Sequence, residues 1–356
     1  MADQPVADTA DPFGANEPVS VVDTIAVRPG QRQAVIDLFE RVYKPMAAER
    51  GLGFVALSLQ PPFERRDTGG EIQIHWQYPS LGALWGARGV EETDPQLPAF
   101  WGDLAPLIEN RTRKLSRPGL MAVDSFQGPP AVPMVNTAGS RAIAFLRPEN
   151  DVEPGEWPQW VERLHGLAGK DGIRGSYAGF NQGGYTGRPG EITLDLVFDD
   201  HRTDVSLEQL QSLVPVSAQV DEVVVPGPCL AWGYAEKPMA DAVKRTILLK
   251  VRDDVSASDI QIMEQTLIEW AQQLPEMATW SLSRIAHSSG PVQWSHCYEQ
   301  EFTIASAVVG SYLNHPFHWS VADRYFHPEG HEQVANVFFH SIHAISESIL
   351  VPILGN

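Results

Sequence analysis

Cysteine is scarce in this chain: Cys229 and Cys297 are the two among 356 residues, and no C-x-x-C pair exists. That argues against a disulfide framework and against cysteine-ligated zinc. Basic residues are also few, 26 Lys and Arg against 45 Asp and Glu, for a net charge of −19. Such a surface repels phosphate backbones and anionic headgroups, so no nucleic acid and no membrane partner is expected. Charge of this sign keeps a protein in solution and identifies no substrate. No run approaches the roughly 18 uninterrupted apolar residues of a membrane span. The start, residues 1–17, has neither the basic nor the apolar segment of a signal peptide and reads as a disordered acidic tail, so a cytoplasmic protein is expected. No H-E-x-x-H spacing occurs. The glycines at 183, 184, 187 and 190 fall between two strands, not before a helix, and read as a hairpin turn and not a phosphate cradle.

What is present is a core-forming composition, 43% hydrophobic with 9% aromatic residues, and one order of elements repeated three times at a period of roughly 110 residues. In the last third, 245–251 reads as a strand. A helix then opens at a capping-box-like Ser258-Asp-Ile-Gln261, with Ile260, Met263, Leu267, Ala271 and Leu274 on one face. Strands 279–285 and 293–302 follow, then a helical stretch from Ile304 to about Phe326, then strand 336–342. The middle third has strands 141–146, 173–180, 191–198 and 220–225, the last with an extension to Tyr234, and helices near 157–167 and 206–213. The first third has strands 21–27, 54–59 and 71–78, a helix 32–50 and helical segments through Arg113, its closing strand being the least defined. The predicted fold is α+β: three ferredoxin-like βαββαβ repeats of dimeric α/β-barrel type, at 18–116, 138–236 and 243–350. Each leaves one apolar sheet face bare. Two such faces can pair within the chain, and the third implies a homodimer.

Chemistry concentrates in the third repeat. Three of the 11 histidines, with a tyrosine, fall in Trp294-Ser-His296 and Tyr312-Leu-Asn-His315-Pro-Phe-His318-Trp319. Alternation places Trp294, His296, Tyr298, Gln300 and Phe302 on one strand face. The equivalent rows in the other repeats are apolar: Ile72, Ile74, Trp76 and Tyr78, then Ile192, Leu194, Leu196 and Phe198. A polar group on a core-facing row needs a partner, so His296 and Gln300 suggest a polar-lined pocket. Pro316 suits the first turn of a helix, so the helical stretch breaks near Asn314 and restarts there. His315, directly before the proline, reads as a helix-start residue, and Asp323 could orient an imidazole.

Residues 243–345 resemble the stress-responsive dimeric α/β-barrel (Dabb) family, which includes olivetolic acid cyclase. The likeness rests on the opening strand 246–252, on Trp294-Ser-His296, and on Tyr312-x-x-His315-Pro-x-His318. It implies a metal-free active site without organic cofactor. Carried over by position, His318 is the base, His296 the complementary acid, and Tyr312 a group that orients the base or donates to an oxyanion. The cyclase also has a histidine at the start of its first strand, a place that falls near Arg245 in this chain. The first repeat more loosely resembles NIPSNAP-like and antibiotic-biosynthesis-monooxygenase-like domains, through Phe100-Trp101 and Pro106-Leu-Ile108.

The expected function is therefore cofactor-independent lyase or cyclase chemistry on a small apolar, aromatic or polyketide-like substrate. His296, Tyr312 and His318 would be catalytic, and Trp294, Tyr298, Phe317, Trp319 and Arg245 would bind substrate. Phe326 could add to the apolar wall. Two alternatives stay open. One is a metal- or haem-dependent oxidoreductase, for which His315 and His318, or His327 and His331, could share a helical face; the haem-peroxidase G-x-x-D-G motif is approached only by Gly169-Lys-Asp-Gly172. The other is a non-catalytic ligand-binding or stress protein.

Overall fold

The computed structural model describes residues 15–63, 68–118, 128–133, 141–150, 152–182, 191–200, 205–239 and 241–354. The expected tail and the glycine-rich hairpin at 183–190 lie outside the described residues, the tail all but its last three. Two units divide the chain: Met1–Val123 with Leu313–Gln333, and Asp124–Tyr312 with Val334–Asn356. Among the described residues no helix is long and apolar enough to cross a membrane.

In the first unit, β1 (Val19–Val27) leads through α1 (Arg32–Leu38), a π-helical turn at Phe39–Tyr43 and α2 (Lys44–Glu49) to β2 (Gly53–Gln60) and β3 (Gly70–Tyr78). Then come α3 (Leu81–Glu91), α4 (Gln96–Leu104) and β4 (Ile108–Ser116). Ser80 starts α3 by accepting a hydrogen bond from Ala83 N at 3.1 Å, as N-cap residues do. The antiparallel order β2-β3-β1-β4 is that of a ferredoxin-like sheet. The helical reading through Arg113 fails from Ile108 onward, because charges at Glu109, Arg111, Arg113 and Lys114 on both faces of β4 hide its period of two. Toward the helices the sheet buries Val21, Ile25, Ile72, Ile74 and Trp76, each adding about 1.5–3 kcal/mol. The opposite face pairs Val22 with His75 and Thr24 with Gln73. It is small and polar, not the apolar surface expected there.

The second unit holds β5 (Val132–Pro133), β6 (Arg141–Pro148), α5 (Trp157–His165), β7 (Ile173–Phe180), β8 (Ile192–Phe198), α6 (Leu207–Leu213) and β9 (Ala218–Tyr234). It continues with β10 (Ala242–Val251), α7 (Ala257–Ala271), β11 (Met277–Ser289), β12 (His296–Phe302), a π-helical turn at Val308–Tyr312, β13 (Ala335–Ile345) and α8 (Val351–Leu354). Ser256, not Ser258, caps α7, its Oγ accepting from Asp259 N at 3.2 Å. Strands β9-β6-β8-β7 and β13-β10-β12-β11 form two ferredoxin-like sheets, and β9 joins β11 to make them continuous. The extension of β9 past Val225 makes this join, pairing Pro226–Tyr234 with Thr279–Ile285. The far edges also meet: Gln182 N donates to Ile342 O at 2.7 Å, and Ser341 Oγ donates to Asn181 Oδ1 at 2.7 Å. Two of the three repeats thus close into one eight-stranded barrel, which removes exposed edges.

Helices cover its outer face. The interior is apolar at one side, where Ile143, Phe145, Val224, Leu248, Trp294 and Cys297 cluster. Beside this lies a four-charge group. Lys244 Nζ sits 2.7 Å from Asp195 and 2.9 Å from Glu299. Arg141 clamps Glu299 through both terminal nitrogens, at 2.7 and 2.6 Å, and also contacts Asp195. Two cations facing two carboxylates make the group neutral.

Candidate active site

Strand alternation divides the third repeat between two environments. Lys244, Thr246 and Leu248 of β10 face the barrel interior; Arg245, Ile247 and Leu249 face the helices. On β12, Glu299 joins the interior charges, while His296, Tyr298 and Gln300 face α7. Arg245 is therefore placed beside Gln300, its direct ladder partner.

Around Arg245 a buried polar group forms. One terminal nitrogen donates to Gln300 Oε1 at 3.2 Å, and the other lies 3.1 Å from His340 Nδ1 on β13. The guanidinium stands over the Tyr312 ring, 4.4 Å from its centroid, a cation–π contact. Trp270 and Phe302 hold that ring from two further sides, with centroids at 5.1 and 5.9 Å. Arg245 is 5% exposed and Gln300 0%. Arg245 Nε and Gln300 Nε2 are buried without hydrogen-bond partners. Among the described residues no carboxylate lies within ion-pair distance of Arg245. A buried cation lacking a counter-ion is costly, and this one has donor capacity to spare.

His296 sits further along β12 in a different setting. Its Nε2 is 2.9 Å from Glu264 Oε1 and its Nδ1 is 2.9 Å from Ser295 Oγ. Arg284 clamps the same carboxylate at 2.7 and 3.0 Å. Burial lowers the His296 pKa, and the bond to Glu264 opposes that without reversing it. The imidazole is therefore neutral at physiological pH, with Nε2–H donating to Glu264. Tyr298 is fully buried and donates to Leu267 O at 3.0 Å. Trp294 departs from the expected row: the regular ladder of β12 begins at His296, and Trp294 packs into the barrel interior with Ile143 and Phe145.

The rest of the motif follows the chain into the first unit, whose second segment begins at Leu313. The helix breaks at His315 and resumes at Pro316, close to the expected position. His315 Nδ1 accepts from Phe317 N at 3.1 Å, so it serves the helix start, and burial pulls its pKa down to about 4. His318 stacks on Trp85, ring centroids 5.0 Å apart, with Nδ1 3.4 Å from Leu313 O. Trp319 joins the apolar core of this unit. Of the nominated residues, Arg245 and Tyr312 come together directly; His296 lies elsewhere on the same helix-facing side, and His318 with Phe317 and Trp319 is held in the other unit.

Charged groups anchor that segment. Glu329 accepts from Tyr43 Oη at 2.8 Å and from Arg50 at 3.0 Å, and contacts Arg113. Asp323 pairs with Arg88 at 2.5 Å and orients no imidazole through its side chain. Asp23, at the centre of the apolar row of β1, accepts from Trp76 Nε1 at 2.9 Å and from Arg113 Nε at 2.7 Å. Glu91, His327 and Glu329 bring ligand-type atoms within 4.8 Å of one another, a spacing compatible with a metal. Their surroundings oppose one. Arg88 contacts both His327 nitrogens and Glu91, while Arg50 and Arg113 occupy Glu329. Three guanidinium groups would repel an incoming cation. The loop at Gly169–Gly172, with Gly169, Asp171 and Gly172 at positive φ, is a turn.

The interior quartet Arg141, Asp195, Lys244 and Glu299 and the His296 partner Glu264 were not legible as a set. His340, which completes the Arg245 group, carried only the weak signal of a polar residue in a strand. Asp23 carried the same signal as His296, one polar side chain in an apolar alternation.

Residues 243–334 match the family model of the stress responsive A/B barrel domain, Dabb. No curated protein matches the chain. Among solved structures, a NIPSNAP family protein from Agrobacterium tumefaciens str. C58 is 18% identical over 29% of this chain and 94% of its own, with a TM-score of 0.25. SnoaB from Streptomyces nogalater, a cofactor-independent oxygenase, is 17% identical over 30% of this chain and 97% of its own, with a TM-score of 0.22. An anthrone oxidase-like protein is 9% identical over 60% of this chain and 95% of its own, with a TM-score of 0.41.

Proposed function

We propose that this protein is a cofactor-independent lyase or cyclase whose reaction centre is the Arg245 group of the third repeat. The observation that carries this reading is a buried guanidinium that has, among the described residues, no carboxylate partner and no acceptor for its Nε–H, with a phenol ring directly beneath it. Such a group favours an oxyanion over a neutral ligand. The substrate class is a small apolar molecule, aromatic or polyketide-like, whose carbonyl or phenol oxygen becomes anionic during reaction. The His340 imidazole, 3.1 Å from Arg245, takes the proton from the carbon beside the carbonyl, and the electron pair moves onto oxygen beside Arg245. The enolate then either expels a leaving group or attacks a second carbonyl, and the proton returns to the departing or newly formed alkoxide. Tyr312 donates to the developing oxyanion. His296, four ladder positions along β12 with its ring nitrogens beside Glu264 and Ser295, is tested by its own alanine variant. The motif's assignment of His318 as base is tested separately by its alanine variant. Self-association into a dimer belongs to the same proposal and is read by sedimentation.

Screening small phenolic and β-keto compounds by thermal shift, followed by product analysis, identifies a substrate. Arg245→Gln and Tyr312→Phe should then each cut turnover by about 10²-fold or more with the fold intact. Wild-type turnover in both variants would sink the assignment. A Soret band or stoichiometric iron, copper or zinc in the purified protein would replace it with the oxidoreductase reading, and binding without turnover would replace it with a ligand-binding role.

A further inference from the structure

A cleft of about 440 Å³ opens in the first unit, between β4 residues Thr112–Leu115 and the segment that carries Trp319, Arg324, His327 and His331. Its size falls in the range of small-molecule sites. The proposed reaction does not use it.

The cleft lining carries three cations against two carboxylates, Asp323 and Glu332, a net charge of +1. Arg113, Lys114 and Arg324 line it, in a protein of net charge −19. Its two carboxylates are already engaged. Asp323 is bound by Arg88 at 2.5 Å, and Glu332 lies 3.5 Å from Arg324 and 3.9 Å from His331. Burial lowers the pKa of both imidazoles, so neither contributes a charge at neutral pH. Two buried donors on the cleft residues remain unmet: Trp319 Nε1 and Arg324 Nε have no hydrogen-bond partner among the described residues. Buried donors without acceptors destabilise a fold unless a ligand supplies the acceptor. Two donors without acceptors among the described residues, beside a lining of net charge +1, call for an anionic acceptor. The indole of Trp319 and the side chain of Leu115 supply apolar surface beside them.

We infer that this cleft binds a small aromatic carboxylate. The carboxylate accepts from Trp319 Nε1 and Arg324 Nε, and the ring lies against Trp319 and Leu115. The site is separate from the Arg245 group and does not depend on the reaction proposed there.

Titration calorimetry on the full chain tests this with benzoate and its uncharged analogue benzamide. Benzoate should bind, with benzamide at least tenfold weaker. Trp319→Phe keeps an aromatic ring in the core and deletes the N–H; Arg324→Gln changes a partly exposed side chain and deletes the cation. Each should weaken benzoate at least tenfold, while Arg245→Gln leaves it unchanged. Thermal unfolding of each variant shows that it is folded, and Arg324→Gln alone decides if Trp319→Phe is not. Absence of benzoate binding, equal affinity for benzamide, or wild-type affinity in Arg324→Gln would overturn the inference. Loss of binding in Arg245→Gln would also overturn it, by assigning the carboxylate to the other unit.

Discussion

Replacing Lys244 with Met is expected to be among the most damaging single changes in the barrel. Its ammonium is fully buried and pairs with Asp195 and Glu299 at 2.7 and 2.9 Å. Methionine fills similar volume, so the packing loss is small. The electrostatic loss is not. Two interior carboxylates would be left with Arg141 as their sole cation, an uncompensated buried charge of the kind that costs about 3–5 kcal/mol. For a unit of this size about 2–4 °C of melting temperature accompanies each kcal/mol, so the barrel transition should fall by roughly 10 °C. The second arm adds Asp195→Leu. That leaves Arg141 and Glu299 as a bidentate pair, and the double variant should recover at least about 2 kcal/mol relative to additivity. The pH response gives an independent check. Against burial, which pushes them up, Lys244 and Arg141 hold Asp195 and Glu299 below the usual carboxylate range. Groups with depressed pKa values contribute stability that is present above their unfolded value of about 4 and is lost as pH falls through the folded one. Lys244→Met should therefore move acid unfolding to higher pH. Thermal and acid unfolding followed by circular dichroism measure all three effects. A single variant within about 1 kcal/mol of wild type, or a double variant that is merely additive, would refute the account of the quartet as one mutually compensated unit.

Both thiols should resist labelling in the folded protein. Burial pushes Cys229 up to about 11 and Cys297 well above its ordinary value, with Glu299 adding to the latter. A thiol reagent at pH about 8 should therefore modify neither until denaturant is added, and rapid native-state labelling of either would contradict the burial. His343 sits inside the barrel over Gly179 with neither ring nitrogen hydrogen bonded, and burial pulls its pKa down to about 3. Between about pH 6.5 and that value the unfolded chain takes up a proton the folded one does not, so stability falls by up to about 1.4 kcal/mol per pH unit. His343→Leu should flatten this slope without lowering stability at pH about 7; an unchanged slope would argue against the imidazole as its source.

The fold was readable where elements alternate cleanly. The apolar rows of β3 and β8 identify core strands, and Pro316 marks the helix break to within one residue. The extension of β9 was visible as a strand-like run, but its purpose was not, because joining two repeats is a property of pairing partners far apart in sequence. The same limit hid the interior quartet. Arg141 and Glu299 are 158 residues apart, and nothing local distinguishes a charge buried opposite its partner from one in solvent. In β4, charges on both faces erased the periodicity altogether. The path of residues 313–333 was hidden for a related reason: the third repeat supplies the sequence, but the first unit supplies its partners, Arg50, Arg88 and Arg113.

In the proposed reaction, the guanidinium of Arg245 sets the kind of chemistry that the third repeat performs. Near the place where the resembling cyclase has a histidine, this chain has the planar five-donor guanidinium of Arg245. In the proposed reaction it holds charge on a substrate oxygen, and its neighbours are arranged accordingly. Gln300 and His340 fix two of its nitrogens, and the Tyr312 ring supports its face without neutralising it. A carboxylate at any of these positions would have satisfied the guanidinium and closed the site to anions. Its absence among the described residues leaves the cation with unspent attraction, which a substrate oxygen gains most from when that oxygen is most negative. That is the requirement for stabilising an enolate or phenolate more than the neutral ground state. On the proposed reading the phenol of Tyr312, whose ring lies under the cation, is the donor to that oxyanion.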